Sequence, residues 1–253
     1  MKTPEGPLAG KTVLVTRPKE QADSLLSLIK DQGGIPLPFP VVTIIGTDKT
    51  LDEYPIQHLS RFKWIIFTSK NGVDHFFRII KDKELSFDQH KFAAVGEKTA
   101  QAMQEWGIHS ILVPQRYDAE ALAELLKKEV KVGEKVLFPK GSLAPSFIKD
   151  QLKDKADVEE LVVYETKPAE ELDWGLVLKA DCCFFLSPSA VSFMTSYYEK
   201  KQNSRILKTP AFCIGPTTKK AAVEKGFQHV FMPERYTAED MVKLAAIYFQ
   251  GGS

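Results

Sequence analysis

Ile214-Gly215-Pro216-Thr217-Thr218 decides the architecture, because the chain holds a second version of it 119 positions earlier, at Val95-Gly96-Glu97-Lys98-Thr99. The likeness continues downstream in both places. Ala102 matches Ala221 and Gly107 matches Gly226; a short apolar run follows, and each copy then reads Pro-x-Arg-Tyr-x-Ala-Glu, at 114–120 and 233–239. Residues 94–120 and 213–239 share 10 identities in 27 aligned pairs, where average composition would give about two. Solenoid units repeat every ~20–50 residues. A spacing of 119 describes two similar lobes instead.

Outward from the repeat, short apolar runs alternate with helical spacing. Strands are predicted at Lys11–Thr16, Ile35–Phe39, Trp64–Thr68, Phe92–Val95, Ile111–Val113, Lys135–Phe138, Glu160–Tyr164, Cys182–Leu186, Ala211–Ile214 and His229–Met232, with helices between most of them. The middle segment supplies five strands in series and the C-terminal segment three. The missing pair is the opening strands, and Val13-Leu14-Val15 does resemble Val136-Leu137-Phe138. Pro36, Pro38 and Pro40 at alternate positions suit an edge or a connector rather than a central strand. The economical organisation is a continuous lobe, 44–163, inserted into a discontinuous one, 1–39 with 169–253, through extended connectors at 40–43 and 164–168. Alternating β and α makes this an α/β fold, with parallel sheets and right-handed crossovers. Ligands of such sheets bind beyond the carboxyl ends of the strands, here in a cleft between lobes.

The 253 residues carry 34 Lys+Arg against 33 Asp+Glu, which gives no electrostatic reason to expect nucleic acid or a membrane surface. Cys182, Cys183 and Cys213 are odd in number, and two are adjacent in an apolar strand, so they read as reduced, buried thiols. Met1–Pro7 is polar and proline-rich, and no apolar run is long enough to span a bilayer. These features suggest a soluble, cytoplasmic protein; a monomer is expected, although no feature of the sequence fixes the oligomeric state. The five histidines show no ligand spacing, so no metal is expected. Gly10-Lys11-Thr12 is not a phosphate loop, since it precedes a strand where that loop must follow one.

The chemistry must then lie in strand-to-helix turns rich in hydroxyls. They are Thr16-Arg17-Pro18, Ser69-Lys70-Asn71-Gly72, Gly96 to Thr99, Lys140-Gly141-Ser142, Ser187-Pro188-Ser189 and Gly215 to Thr218, including Thr217. Each opens near a helix N-terminus whose free N–H groups suit a carboxylate or phosphate. Any one of them also reads as a plain Ser or Thr cap. Tyr164, where the inserted lobe ends, either packs between lobes or points a protonated phenol into the cleft. The tyrosine of each Pro-x-Arg-Tyr reads as a contact with the following helix. Arg116 and Arg235 are open between surface ion pairs and rim contacts.

Phe67-Thr68-Ser69-x-x-Gly72-Val73, Val95-Gly96-x-x-Thr99-Ala100, Val163-Tyr164-Glu165-Thr166, Phe185-x-Ser187-Pro188-Ser189 and Ile214-Gly215-Pro216-Thr217-Thr218, in that order, resemble the uroporphyrinogen-III synthase family. The resemblance spans Lys11 to Phe249. It implies two flavodoxin-like lobes joined by a two-stranded linker, and a lyase without cofactor in tetrapyrrole biosynthesis. The implied substrate is hydroxymethylbilane, which is dehydrated and cyclised with inversion of ring D. A transient contact with hydroxymethylbilane synthase is the implied protein partner. The resemblance places Tyr164 on the family's functional tyrosine, Thr99, Ser187, Thr217 and Thr218 on cleft hydroxyls, and Ser69 on the first turn. Lys70-Asn71 departs from the Pro-Arg of some members. Thr16, Arg17, Asn71, Gly72, Gly96, Lys140, Gly141, Ser189 and Gly215 complete the expected substrate-binding set. The alternative is a non-catalytic two-lobed protein that closes on an anionic or tetrapyrrole ligand.

Overall fold

The computed structural model describes residues 5–47, 54–81, 87–200 and 205–251. The first residues of the polar N-terminal stretch and the last two of the chain lie outside them. In chain order the elements are β1 (Thr12–Val15), α1 (Asp23–Asp31), β2 (Ile35–Pro38), β3 (Val42–Gly46), α2 (Tyr54–Gln57), β4 (Trp64–Phe67), α3 (Lys70–Ile80), β5 (Lys91–Ala94), α4 (Glu97–Glu105), β6 (Ile111–Leu112) and α5 (Ala119–Glu129). They continue with β7 (Lys135–Gly141), α6 (Phe147–Leu152), β8 (Asp157–Pro168), β9 (Cys182–Phe185), α7 (Pro188–Lys200), β10 (Ala211–Cys213), α8 (Pro216–Glu224), β11 (Val230–Phe231) and α9 (Ala238–Phe249). One compact unit holds the described residues up to Thr43 and from Lys167 onward; the other holds those from Ile44 to Thr166.

The first unit contains a sheet ordered β11-β10-β9-β1-β2, parallel throughout. Its interior strand Cys182-Cys183-Phe184-Phe185 is wholly buried, as expected where helices cover both faces. Successive side chains point to opposite faces. Cys182 and Phe184 therefore join Val13, Val15, Leu25 and Met241 under α1 and α9. Cys183 and Phe185 join Leu14, Val191, Met194 and Ala222 under α7 and α8. This is why the adjacent cysteines stay separate, free and buried. Burying each large side chain of these layers stabilises the fold by roughly 1.5–3 kcal/mol before entropy is counted.

The second sheet runs β3-β8-β7-β4-β5-β6. β4 to β8 pair in parallel, whereas β3 at the edge runs against β8: Thr47 N–H donates to Val163 C=O and Ala169 N–H to Val41 C=O. Numbered from β1, the first sheet reads 2-1-3-4-5 along its width. Numbered from β7 and β8, then β4, β5 and β6, the second reads the same. The second unit is thus a circular permutant of the first, which accounts for the likeness of residues 13–15 to residues 136–138. In each copy of the repeat the first helix ends at a glycine with positive φ, Gly107 at 84° and Gly226 at 86°, where a Cβ would be strained.

Two elements differ from the sequence reading. The strand expected at Glu160–Tyr164 and the connector expected after it are one strand of 12 residues. The first connector becomes β3 from Val42 onward, because Val42, Thr43, Ile44 and Ile45 are β-branched and find the β8 edge open.

Candidate functional site

Where the order of a doubly wound sheet reverses, the loops after the two neighbouring strands part to opposite faces and leave a crevice. In the second unit those strands are β4 and β7. The loop after β4 carries Ser69; β7 ends in Lys140-Gly141, where a register shift sets Gly141 opposite Tyr164 of β8. The Tyr164 ring occupies the space that a side chain at residue 141 would need: a Cβ there would lie 2.6 Å from Cε2 and 2.7 Å from Oη. Tyr164 Oη lies 3.3 Å from Ser69 Oγ, and Ser69 Oγ accepts the Gly72 N–H at 3.0 Å, capping α3. His75 of α3 stacks on the phenol ring, with centroids 5.4 Å apart and planes at 29°. Gly46 packs against that imidazole so closely that a Cβ would lie 3.0 Å from Nδ1.

Electrostatics keep this cluster neutral. Burial raises the Tyr164 phenol above its ordinary 10, with the Ser69 hydrogen bond pulling the other way. Burial and the nearby Arg78 lower His75 below 6.5, against a smaller opposing effect of Asp74. Near neutral pH the site therefore holds a protonated phenol and an uncharged imidazole, a weak acid with no strong base beside it.

Other expected residues fall into distinct roles. Gly72 is needed for packing, since a Cβ would lie 3.2 Å from Pro139 O. Asn71 is half-buried in the first turn of α3. Lys140 is engaged within the protein: it is 6% exposed, and its Nζ lies 3.2 Å from Glu160 Oε1. Ser146 donates to the other oxygen of that carboxylate at 2.9 Å. Lys140 therefore meets an internal carboxylate rather than presenting a free charge.

The two copies of the repeat have matching geometry. Gly96 and Gly215 cap α4 and α8 without any side-chain cap, which leaves first-turn N–H groups open to a ligand. Thr99 and Thr218 are buried one turn in. Among the described residues neither hydroxyl has a hydrogen-bond partner; Thr217, next to Thr218 in the chain, is exposed. The repeat's tyrosines cover the repeat's glycines. Tyr117 lies 2.9 Å from where a Cβ of Gly96 would be, and Tyr236 lies 3.8 Å from that of Gly215. Each tyrosine thus packs on the turn before it in the chain, and Tyr117 Oη donates to Glu97 Oε1 at 2.7 Å. Arg116 pairs with Asp118 and Glu120, and Arg235 with Asp240 at 2.9 Å, so both arginines form surface ion pairs.

In the first unit the reversal lies between β1 and β9. Thr16 is buried and its hydroxyl donates to Phe184 O at 2.8 Å, a role within the fold. Arg17 follows, half-buried. Ser187 Oγ accepts the Ala190 N–H at 3.3 Å and lies 3.0 Å from Ser189 Oγ. The plain cap reading therefore holds for Ser69 and Ser187, although each has a second hydroxyl within reach.

The family model described as uroporphyrinogen-III synthase HemD matches residues 23–243. The chain belongs to the uroporphyrinogen-III synthase family. A relative in Methanocaldococcus jannaschii is 32% identical over 92% of this chain and 96% of its own. The uroporphyrinogen-III synthase of Chlorobaculum parvum is 29% identical over 93% of this chain and 98% of its own. A solved mutant uroporphyrinogen III synthase from Thermus thermophilus shares the fold, with a TM-score of 0.71 and 19% identity over 96% of this chain and 100% of that one. The uroporphyrinogen-III synthetase of Helicobacter pylori has a TM-score of 0.61 at 19% identity, covering 93% and 98%. The family comprises cyclising lyases of porphyrin biosynthesis. Among the described residues no helix is long and apolar enough to cross a membrane. His75 and Gly46 are the members of the Tyr164 cluster that the sequence did not disclose. The available signal was glycine inside a strand, at Gly46 and Gly141, which marks close approach of another group.

Proposed function

We propose that this chain converts hydroxymethylbilane to uroporphyrinogen III and that Tyr164 is its proton donor. The observation that carries the assignment is the buried phenol held against Ser69 where Gly141 has no side chain. Ser69 Oγ already accepts the Gly72 N–H, so its own proton is free to point at Tyr164 Oη. The phenol hydrogen is then released toward the ring A hydroxymethyl group of the substrate.

The C–O bond of the hydroxymethyl group breaks with its electron pair leaving on oxygen, and the Tyr164 proton completes a water molecule. The resulting azafulvene is attacked by the substituted α-carbon of ring D, giving a spiro intermediate. That intermediate fragments and recloses through the other α-carbon of ring D, inverting the ring. Loss of the α-proton returns a proton to the tyrosinate, which the Ser69 hydroxyl steadies meanwhile. The linear substrate closes without inversion when left alone, so the main task is to hold one reactive conformer. The open N–H groups after Gly96 and Gly215 and the hydroxyls of Thr99, Thr217 and Thr218 suit carboxylate side chains of such a substrate. The reading includes a monomer acting in the cytoplasm and taking substrate from hydroxymethylbilane synthase.

Tyr164→Phe tests the assignment. A fall in kcat of about 10²-fold or more is expected from removing a positioned general acid. An unchanged kcat in a folded variant would remove Tyr164 from the mechanism.

A further inference from the structure

We infer that Arg17 anchors one carboxylate of the substrate at the first unit's crevice, whereas its counterpart in the second unit, Lys140, does not. This rests on the tetrapyrrole reading above and assigns a specificity-determining residue within it.

The permuted repeat supplies the comparison. With residues 13–15 laid on residues 136–138, Arg17 falls on Lys140. Both cations stand at the carboxyl end of a strand at which the sheet order reverses, Lys140 within β7 and Arg17 just after β1. Lys140 is neutralised by Glu160, which stands on β8 opposite Phe138. In the first unit the place opposite Val15 is taken by Pro38 of β2. The carboxylate that balances one cation is thus replaced by an uncharged ring beside the other.

Among the described residues no hydrogen bond or ion pair reaches the Arg17 guanidinium. Burial pulls its pKa down, and no described acid opposes the shift. A half-buried guanidinium without a counterion has lost part of its hydration and gained nothing for it. An incoming carboxylate restores the balance, because the planar fork can hold both oxygens at once. The loop after β9, on the other side of the reversal, brings the Ser187 and Ser189 hydroxyls, 3.0 Å apart, as further donors. Only one of the two repeat-related cations is available. An octacarboxylic substrate therefore receives an oriented anchor from this unit rather than two interchangeable ones.

The test uses the whole protein and two readouts. Fluorescence quenching gives Kd for uroporphyrin III, a stable octacarboxylic probe, at low and high NaCl. The coupled assay gives KM and kcat for hydroxymethylbilane. Arg17→Gln should raise both Kd and KM on the order of tenfold, as expected for losing one charge-assisted pair, with kcat within about threefold. It should also flatten the salt dependence of Kd. Pro38→Glu leaves Arg17 in place but supplies the missing internal carboxylate at an exposed edge position, and should weaken binding in the same way. Lys140→Gln should lower stability, by leaving Glu160 unpaired, while Kd stays within about twofold. Wild-type Kd and KM in both Arg17→Gln and Pro38→Glu would overturn the inference and leave the enzymatic reading intact. Weaker porphyrin binding by Arg17→Gln in a protein whose wild type forms no isomer III would do the reverse.

Discussion

Gly141→Ala probes the site through a residue that has no functional group of its own. The added methyl would lie 2.6 Å from Tyr164 Cε2 and 2.7 Å from Oη, whereas carbon atoms rest about 3.5–4.0 Å apart. The phenol must therefore move by about 1 Å. Any such movement disturbs either the stack on His75 or the 3.3 Å approach to Ser69. His75 cannot simply follow, since Gly46 already lies against its imidazole. A misplacement of about 1 Å in a positioned group can cost on the order of 10²-fold in rate, and overpacking of this kind costs about 1–3 kcal/mol in stability. The assay is formation of isomer III from hydroxymethylbilane made in place, beside thermal unfolding of the same preparations. Gly141→Ala should lose about 10²-fold in kcat while remaining folded, and Gly141→Ala with Tyr164→Phe should be little slower than Tyr164→Phe alone. A Gly141→Ala enzyme within about threefold of the parent rate would refute the packing account of Tyr164.

Further outcomes follow from the same geometry. Ser69→Ala removes both the α3 cap and the Tyr164 contact, so the denaturant midpoint should report a loss of about 1 kcal/mol together with a lower kcat; a rate loss without a stability loss would contradict the dual role. His75 and His90 are both lowered below 6.5, chiefly by burial. The unfolded chain then binds more protons than the folded one just below 6.5, so stability is lost as the pH falls. His75→Gln should lose less stability than the parent between about pH 7.5 and 5.5, and equal losses would contradict the burial of His75. Burial pushes the Cys183 and Cys213 thiols up to about 12 and raises Cys182 as well. All three cysteines should resist a thiol reagent in the native state at mildly alkaline pH and react once the chain is unfolded; fast native labelling would place them wrongly.

Sequence legibility differed between the frame and the site for physical reasons. The two-lobed frame was readable because the Gly-x-x-Thr and Pro-x-Arg-Tyr segments are local signals, carried twice. The alternate prolines 36, 38 and 40 likewise marked an edge, and β2 is the edge strand of its sheet. β3 has no local signature, and its first two residues fall in the expected connector, because its pairing with β8 joins residues more than a hundred positions apart. The turns around Ser69 and Ser187 are legible in the sequence, but whether a serine caps its own helix or reaches further depends on what lies across the crevice. Lys140 and Arg17 looked alike in sequence. Strand register alone brings Glu160 to one of them and Pro38 to the other. His75 gave no signal, since its importance comes entirely from the ring stacked on it.

The most direct measurement is the isomer composition of the product. Hydroxymethylbilane formed in place by its synthase is mixed with this protein, the products are oxidised, and uroporphyrins I and III are separated. Predominantly isomer III is the predicted result for the wild type, with Tyr164→Phe shifting the yield toward isomer I as uncatalysed closure overtakes the slowed enzyme. Isomer I alone from folded wild-type protein would contradict the account.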